Sequence, residues 1–474
     1  MTDSNRFLTG RLGGLLLLAG ALGCGGAPLS YPGEDPGTFT SGPAAALPKP
    51  IAPPPQEPKS IDLHSALRLA AGVHWDVLEA RARVREAEGR ASSADGSLLP
   101  VIGGGGAVGH TRGQVQGSFG DLRKVDYGTV NAVGTLRISS NVGESIYRDL
   151  AAHRLTDAAA AFETATLQRT LYAVATGYLA LVEADGTVRL QEQFLQESQT
   201  LARLTQTRET LGLGSALDSE RARAQAAAAE QRLLAARNER QRRSKALATA
   251  LRLDATVDLV PVDKELSPAA LVDPAEPLSK WMGRAEEHRA ETRALRAARE
   301  AFDHEASAAR WSAYGPEFAA AGLVGTGGTT FGTLDERESW LVTLGWTFSF
   351  GGPGRVETAD ARSEQAGIAL DRFRDQLRAS VAGSYQELAL SKDQLEPSER
   401  ELAAAEKALR IAKANFEGGL LPENDLLLAQ QGADQARLKR LSAVARFNQS
   451  QLRLLAESGV ASLDRFLGTS PDRK

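Results

Sequence analysis

Phe416-Glu417-Gly418-Gly419-Leu420-Leu421-Pro422-Glu423-Asn424-Asp425-Leu426-Leu427 ends one long apolar-periodic run and starts another. The chain carries an earlier copy, Gly212-Leu213-Gly214-Ser215-Ala216-Leu217-Asp218. Both fit G-L-x-[SP]-x-x-D-x-x-x-A, closing on Ala222 and Ala429, at a constant offset of 207. The residue types suit a reversal between two helices. Glycine takes the left-handed conformation that ends a helix. Ser215 is an N-cap candidate with Asp218 at capping-box spacing. Pro422 suits the first position of a new helix. Each copy therefore predicts a sharp helical hairpin.

Outward from these turns the pattern stays helical. Long helices are expected over Glu144–Leu211 and Gly354–Glu417. At 1.5 Å per residue each is roughly 100 Å long. Descending helices are expected over Leu213–Arg252 and Leu420–Gly459. Leu167, Leu171, Val174, Tyr178 and Leu181 step by four and three. Leu388, Leu395, Leu402, Leu409 and Phe416 step by seven, with Ala405 and Ala412 between. Such a seam has the coiled-coil period of 3.5 and is assigned to packing. Pro397 predicts a kink or restart in the second long helix.

Each long helix follows a glycine-rich β region. From Trp340 to Phe350, Val342, Leu344, Trp346, Phe348 and Phe350 point one way; Leu341, Thr343, Gly345, Thr347 and Ser349 point the other. Val130–Ser139 alternates likewise, with Val101–His110 and Phe318–Thr326 as partner strands. Four strands of about ten residues are expected, joined by polar loops over 111–128 and 327–339. That length crosses a bilayer when tilted. Four strands cannot close, and open edges are not tolerated in lipid. Strands that span must be pooled between copies, giving eight in a dimer or twelve in a trimer; both are allowed. Core aromatics of a soluble sandwich are the other reading of these residues. Gly104–Gly109 fits G-x-G-x-x-G, but no helix opens there, so a dinucleotide site is not assigned.

Composition narrows the function. The 474 residues are 42% hydrophobic and only 5% aromatic, with 55 basic against 59 acidic side chains. No basic field exists to recruit nucleic acid. With one cysteine, Cys24, internal disulfides and CxxC metal sites are excluded. No constellation of nucleophile, base or cofactor is found, and no cofactor or metal is expected. Arg6 and Arg11 precede an apolar run that ends in Ala21-Leu22-Gly23-Cys24. This has the order of a secretory signal. It resembles a bacterial lipobox, in which the cysteine becomes the acylated first residue.

The domain plan expected is a signal peptide over 1–23 and a lipidated Cys24 with a Pro-rich leader over 24–59. A first repeat covers 60–258, with its β-hairpin at about 100–142 and helical hairpin at about 144–252. A linker over 259–275 leads to a second repeat over 276–462, with its β-hairpin at about 316–350 and helical hairpin at about 354–459; a tail fills 463–474.

The duplicated plan and the turn Phe416–Leu427 resemble the TolC-like outer membrane factor family over about 60–460, the second turn more specifically than the first. The cysteine resembles that of its lipoprotein branch in RND-type efflux. The resemblance implies a mainly α fold with a small β part: an α-barrel of coiled-coil hairpins and a shared transmembrane β-barrel in a homotrimer. It implies a passive exit duct in the Gram-negative outer membrane, not an enzyme. The duct would dock on a periplasmic adaptor and an inner-membrane pump. Gly212, Leu213, Gly214, Gly418, Gly419 and Leu420 would be the adaptor-contacting tips. Asp425 falls where the family places a carboxylate ring at the periplasmic gate, and Asp218 is its counterpart. The family's second aspartate, one turn on, is Leu428 here. Each aspartate also reads as a plain first-turn residue complementing the helix dipole. Val342, Leu344, Trp346, Phe348 and Phe350 would face lipid. A type I protein-secretion exit and a non-conducting periplasmic coiled-coil scaffold are the alternatives; the scaffold has no use for the alternating strands. The exported substrate is not legible.

Overall fold

The computed structural model describes residues 58–254, 256–331, 334–462 and 466. The expected signal peptide, Cys24, nearly all of the Pro-rich leader and most of the tail lie outside these residues. In chain order the elements are β1 (Lys59–Ile61), α1 (Leu63–Val73), α2 (Trp75–Ser97), β2 (Val101–Gln116), β3 (Leu122–Ser140), α3 (Val142–Thr210) and α4 (Ala216–Ala250). Then come β4 (Leu259–Pro261), α5 (Leu278–His288), α6 (Ala290–Tyr314), β5 (Glu317–Gly328), β6 (Asp335–Gly345), α7 (Gly352–Asp393), α8 (Leu395–Glu417) and α9 (Glu423–Glu457). One plan occurs twice: two helices, a β-hairpin, a long ascent and a return. No described helix is long and apolar enough to cross a membrane.

α3 runs unbroken for 69 residues because nothing in it interrupts the ladder. Asn141 caps its start, its side chain accepting from the Glu144 amide at 3.2 Å. Ala151, Ala158 and Ala165 recur every seven residues and are buried. Small side chains at that spacing let neighbouring helices approach closely. Lower down, Leu171, Val174, Tyr178 and Leu181 carry the seam into the main core with Leu67, Trp281, Leu388 and Leu454. A smaller core near the turns holds Leu201, Leu409, Phe416 and Leu426. The second ascent is divided, and α7 gives way to α8 at Gln394. Pro397 offers no N–H, and its ring crowds the carbonyl four residues back, at Asp393.

The copies also end alike. Arg252 and Gly459 stand at the same offset of 207 as the turns, with φ of 54° and 72°. Each closes its helix with a bond from the next amide, Leu253 to Ala248 at 2.9 Å and Val460 to Leu455 at 3.2 Å. Arg252 then stacks over the Trp75 ring at 3.7 Å. Gly459 instead lets the Arg289 backbone approach so closely that a Cβ would lie 2.7 Å from its nitrogen. Between the repeats, Asn448 and Gln451 of α9 act as a hydrogen-bonding edge for the connection over 267–272. Asn448 Oδ1 accepts from Ala269 at 2.8 Å, and Gln451 Oε1 accepts from Leu271 at 2.9 Å.

Four strands form one antiparallel sheet in the order β2-β3-β5-β6. The structure corrects several strand limits. β2 and β3 are 16 and 19 residues long, and paired strand replaces most of the polar loop expected over 111–128. The ladder runs on to Gln116 opposite Leu122, and the reversal uses Gly120 at φ 87°. β6 begins at Asp335 and stops at Gly345, so Trp346, Phe348 and Phe350 follow the strand rather than extend it. Gly345 pairs with Glu317, and the residue before that is Pro316, which has no N–H to prolong the ladder. A short parallel pair, β1 with β4, is an addition that sequence periodicity missed. Each strand has only three residues, too few to register a period.

Candidate functional site

The two turns are built the same way. Gly212 and Gly419 take φ of 70° and 72°. Leu213 N–H donates to the Arg208 carbonyl and Leu420 N–H to the Asn415 carbonyl, both at 2.8 Å. This six-to-one closure satisfies carbonyls that the helix end would otherwise orphan. Ser215 caps α4 by accepting from Leu217 at 3.1 Å. Pro422 sits at the cap of α9 rather than at its first residue, which is Glu423. Gly212, Leu213, Gly214, Gly418, Gly419 and Leu420 are all exposed, and the two leucines stand out most.

Of the two expected gate aspartates, Asp425 is exposed in the first turn of α9 and Asp218 is half-buried in the first turn of α4. The charge that bears on Asp218's side of the turn is Glu423, for which the sequence carries no signal of its own. Glu423 is only 6% exposed, and its Oε1 has no hydrogen-bond partner. Burial foremost, then the Asp218 charge, push its carboxyl up to about 7, against the pull of Arg221 and Arg208. Arg208 also ties the two turns together. It donates to the Phe416 carbonyl at 3.5 Å and lies over the Phe416 ring at 4.5 Å. Gln431 adds a second tie, donating to Gln225 at 3.3 Å between α9 and α4.

Deeper in the helices lies another layer of charge. Asp434 is buried, with Arg437 Nη1 3.7 Å away, and the same nitrogen lies 3.6 Å from Glu197. Burial first, then Glu197, push Asp434 up to about 7. No sequence signal pointed to it, since an acid in a helix reads as a solvated face.

The sheet supplies the other candidate surface. Residues directly opposite on neighbouring strands share a face. The register therefore collects Ile102, Leu136, Gly322 and Trp340 on one face, with Ile138, Ala320 and Val342 alongside, and Phe318 with Leu344. The reverse face mixes Asn131, Thr135, Arg137, Arg337 and Thr343 with Val133, Leu323 and Leu341, and the first face turns polar at Glu338 and Glu336. The two alternations seen separately in β3 and β6 thus fall on one side. Val342, Leu344, Trp346, Phe348 and Phe350 are all exposed, and β2 and β6 are left as open edges.

The sequence pattern of the family described as outer membrane efflux protein matches residues 66–251 and 281–460, one span in each repeat. The chain belongs to the outer membrane efflux protein family. It is a family of outer membrane channels, and this chain is an outer membrane efflux channel. No curated protein sequence matches it. Solved structures of the same fold include the outer-membrane channel OprN, 19% identical with a TM-score of 0.76 over 85% of this chain and 90% of that one. VceC of Vibrio cholerae is also 19% identical, at 0.74 over 84% and 96%. The CmeC outer membrane channel of Campylobacter jejuni is 14% identical, at 0.76 over 87% and 90%. These likenesses agree with a mainly helical channel that joins an α-barrel to a β-barrel.

Proposed function

We propose that this outer membrane efflux protein is the passive exit duct of a tripartite exporter. In this reading three copies pool their strands into a barrel of twelve and their helices into a periplasmic tube. An acylated Cys24 anchors each copy to the outer membrane, and the exposed turns dock on a periplasmic adaptor served by an inner-membrane pump of RND type. One observation carries it. A single sheet, open at both edges, lines up Ile102, Leu136, Trp340, Val342 and Leu344 on one face and stands on helical hairpins about 100 Å long. Lipid does not tolerate unpaired backbone, so the edges call for further copies. Closing with two more sheets also gives an even strand number.

Asp425 and Asp218 are proposed as gate residues at the periplasmic end. Three Asp425 carboxylates around one axis would repel one another and favour cations at the narrow mouth. Planar-bilayer conductance of the purified protein tests the gate directly. Asp425→Ala is expected to lower cation selectivity or raise open probability. Conductance identical to the parent would assign Asp425 to helix capping alone. A purified protein that stays monomeric in detergent and forms no pores would end the duct reading itself.

A further inference from the structure

One side-chain cluster lies far from the turns in sequence and has no part in conduction as described. Asp95 comes from the last turn of α2, while Asp149 and His153 stand one turn apart on α3. His153 Nε2 lies 3.2 Å from Asp95 Oδ1 and 3.7 Å from Asp149 Oδ1. One donor atom from each residue lies within 4.8 Å of the other two. Asp149 Oδ1 is closed to solvent and accepts no hydrogen bond. We propose that Asp95, Asp149 and His153 form a binding site for a divalent first-row transition ion of the Zn2+ kind.

The donor set selects the ion. Two carboxylates and an imidazole suit borderline ions such as Zn2+, whereas Mg2+ and Ca2+ favour oxygen alone and Cu(I) favours sulfur. Ligand bonds of about 2.0–2.2 Å place tetrahedral donors about 3.4 Å apart. The two separations from His153 Nε2 fall on either side of that value, so small side-chain rotations close the set. Three protein ligands leave a position for water.

An ordinary ion pair accounts for only part of the cluster. His153 Nε2 can donate one hydrogen bond, and Asp95 takes it. Asp149 Oδ1 is left without a hydrogen-bond partner, beside the Asp95 carboxylate. Neighbouring arginines are committed elsewhere: Arg154 to Asp157 and Glu300, each at 3.2 Å, and Arg148 to Glu144. A divalent cation would neutralise both carboxylates at once. The place is specific too. Asp95 lies just before β2 and Asp149 two turns after β3, so an ion there would clamp the feet of the first β-hairpin. Both helices belong to one copy of the chain, so the site stands whether or not the duct reading does.

The test is calorimetric titration of chelator-stripped, full-length protein in detergent with Zn2+ alone. The parent, Asp149→Asn, His153→Gln and a surface control, His110→Gln, are compared. A single saturable site per chain is expected, weakened at least about tenfold in the first two variants and unchanged in the control. Mg2+ at about a hundredfold excess should not compete. The unfolding temperature of the parent should rise with Zn2+, and that of His153→Gln should not. Absence of saturable Zn2+ binding in the parent overturns the site whatever the variants do. Binding that survives in both variants assigns the ion to other ligands and overturns it equally.

Discussion

Glu423 occupies the first residue of α9, where a carboxylate ordinarily meets solvent and the positive end of the helix dipole. Here the side chain is covered and faces Asp218, so the proton is held up to about pH 7. Between its ordinary value of 4.5 and that point, the folded chain keeps a proton that the unfolded chain has released. Stability from this group is therefore present at low pH and lost as pH rises through 7. Asp434 acts in the same direction. Denaturation at pH 5.5 and pH 8 should show a less stable protein at the higher pH. Glu423→Gln should shrink that difference by roughly 1–2 kcal/mol, and adding Asp434→Asn should shrink it further. Equal pH slopes in parent and double variant would show that both carboxyls titrate normally. Glycines give a second comparison. Gly419→Ala meets only backbone strain, since nothing lies within 4 Å of a new Cβ, and should cost about 1–2 kcal/mol. Gly459→Ala adds a clash with the Arg289 backbone and should cost clearly more. Thermal melts of the two variants rank them.

Among the elements, the helices were legible and the strands only partly so. Heptad stepping and glycine caps depend on local spacing, and they put the turns at Gly212 and Gly419 without reference to anything distant. The strand ends depended on facts outside each strand. Beyond His110 the chain is polar, which reads as loop, yet β2 and β3 continue as a ladder because each supplies the other's partners. Past Gly345 the side chains still alternate, but Pro316 removes the partner. Glu423 and Asp434 were not legible for a related reason: their burial is decided by other helices. The sheet reading yields its own test. Arginine on the lipid face near the bilayer midplane should cost about 2–4 kcal/mol. Val342→Arg should therefore reduce the yield of heat-modifiable oligomer, while Thr343→Arg, one residue along on the reverse face, should leave it near the parent's. Equal loss in both variants would remove the lipid assignment. The buried amide zipper predicts a further effect. Gln451→Leu would leave the Leu271 and Val272 amides without their acceptor, and should cost about 2 kcal/mol or more in chemical denaturation.

For the whole molecule, duplication sets the plan and divergence sets the differences. The 207-residue offset holds from the turns through to Arg252 and Gly459, yet arginine stacking serves one end and close backbone contact the other. The ascents differ as well: α3 is a continuous rod, and its counterpart is jointed at Gln394. A rod bends reluctantly, whereas a missing rung in the ladder is a cheap place to flex. Each copy would then contribute one stiff strut and one compliant strut. A tube assembled from them would yield under sideways load at a single height, wherever its joints line up.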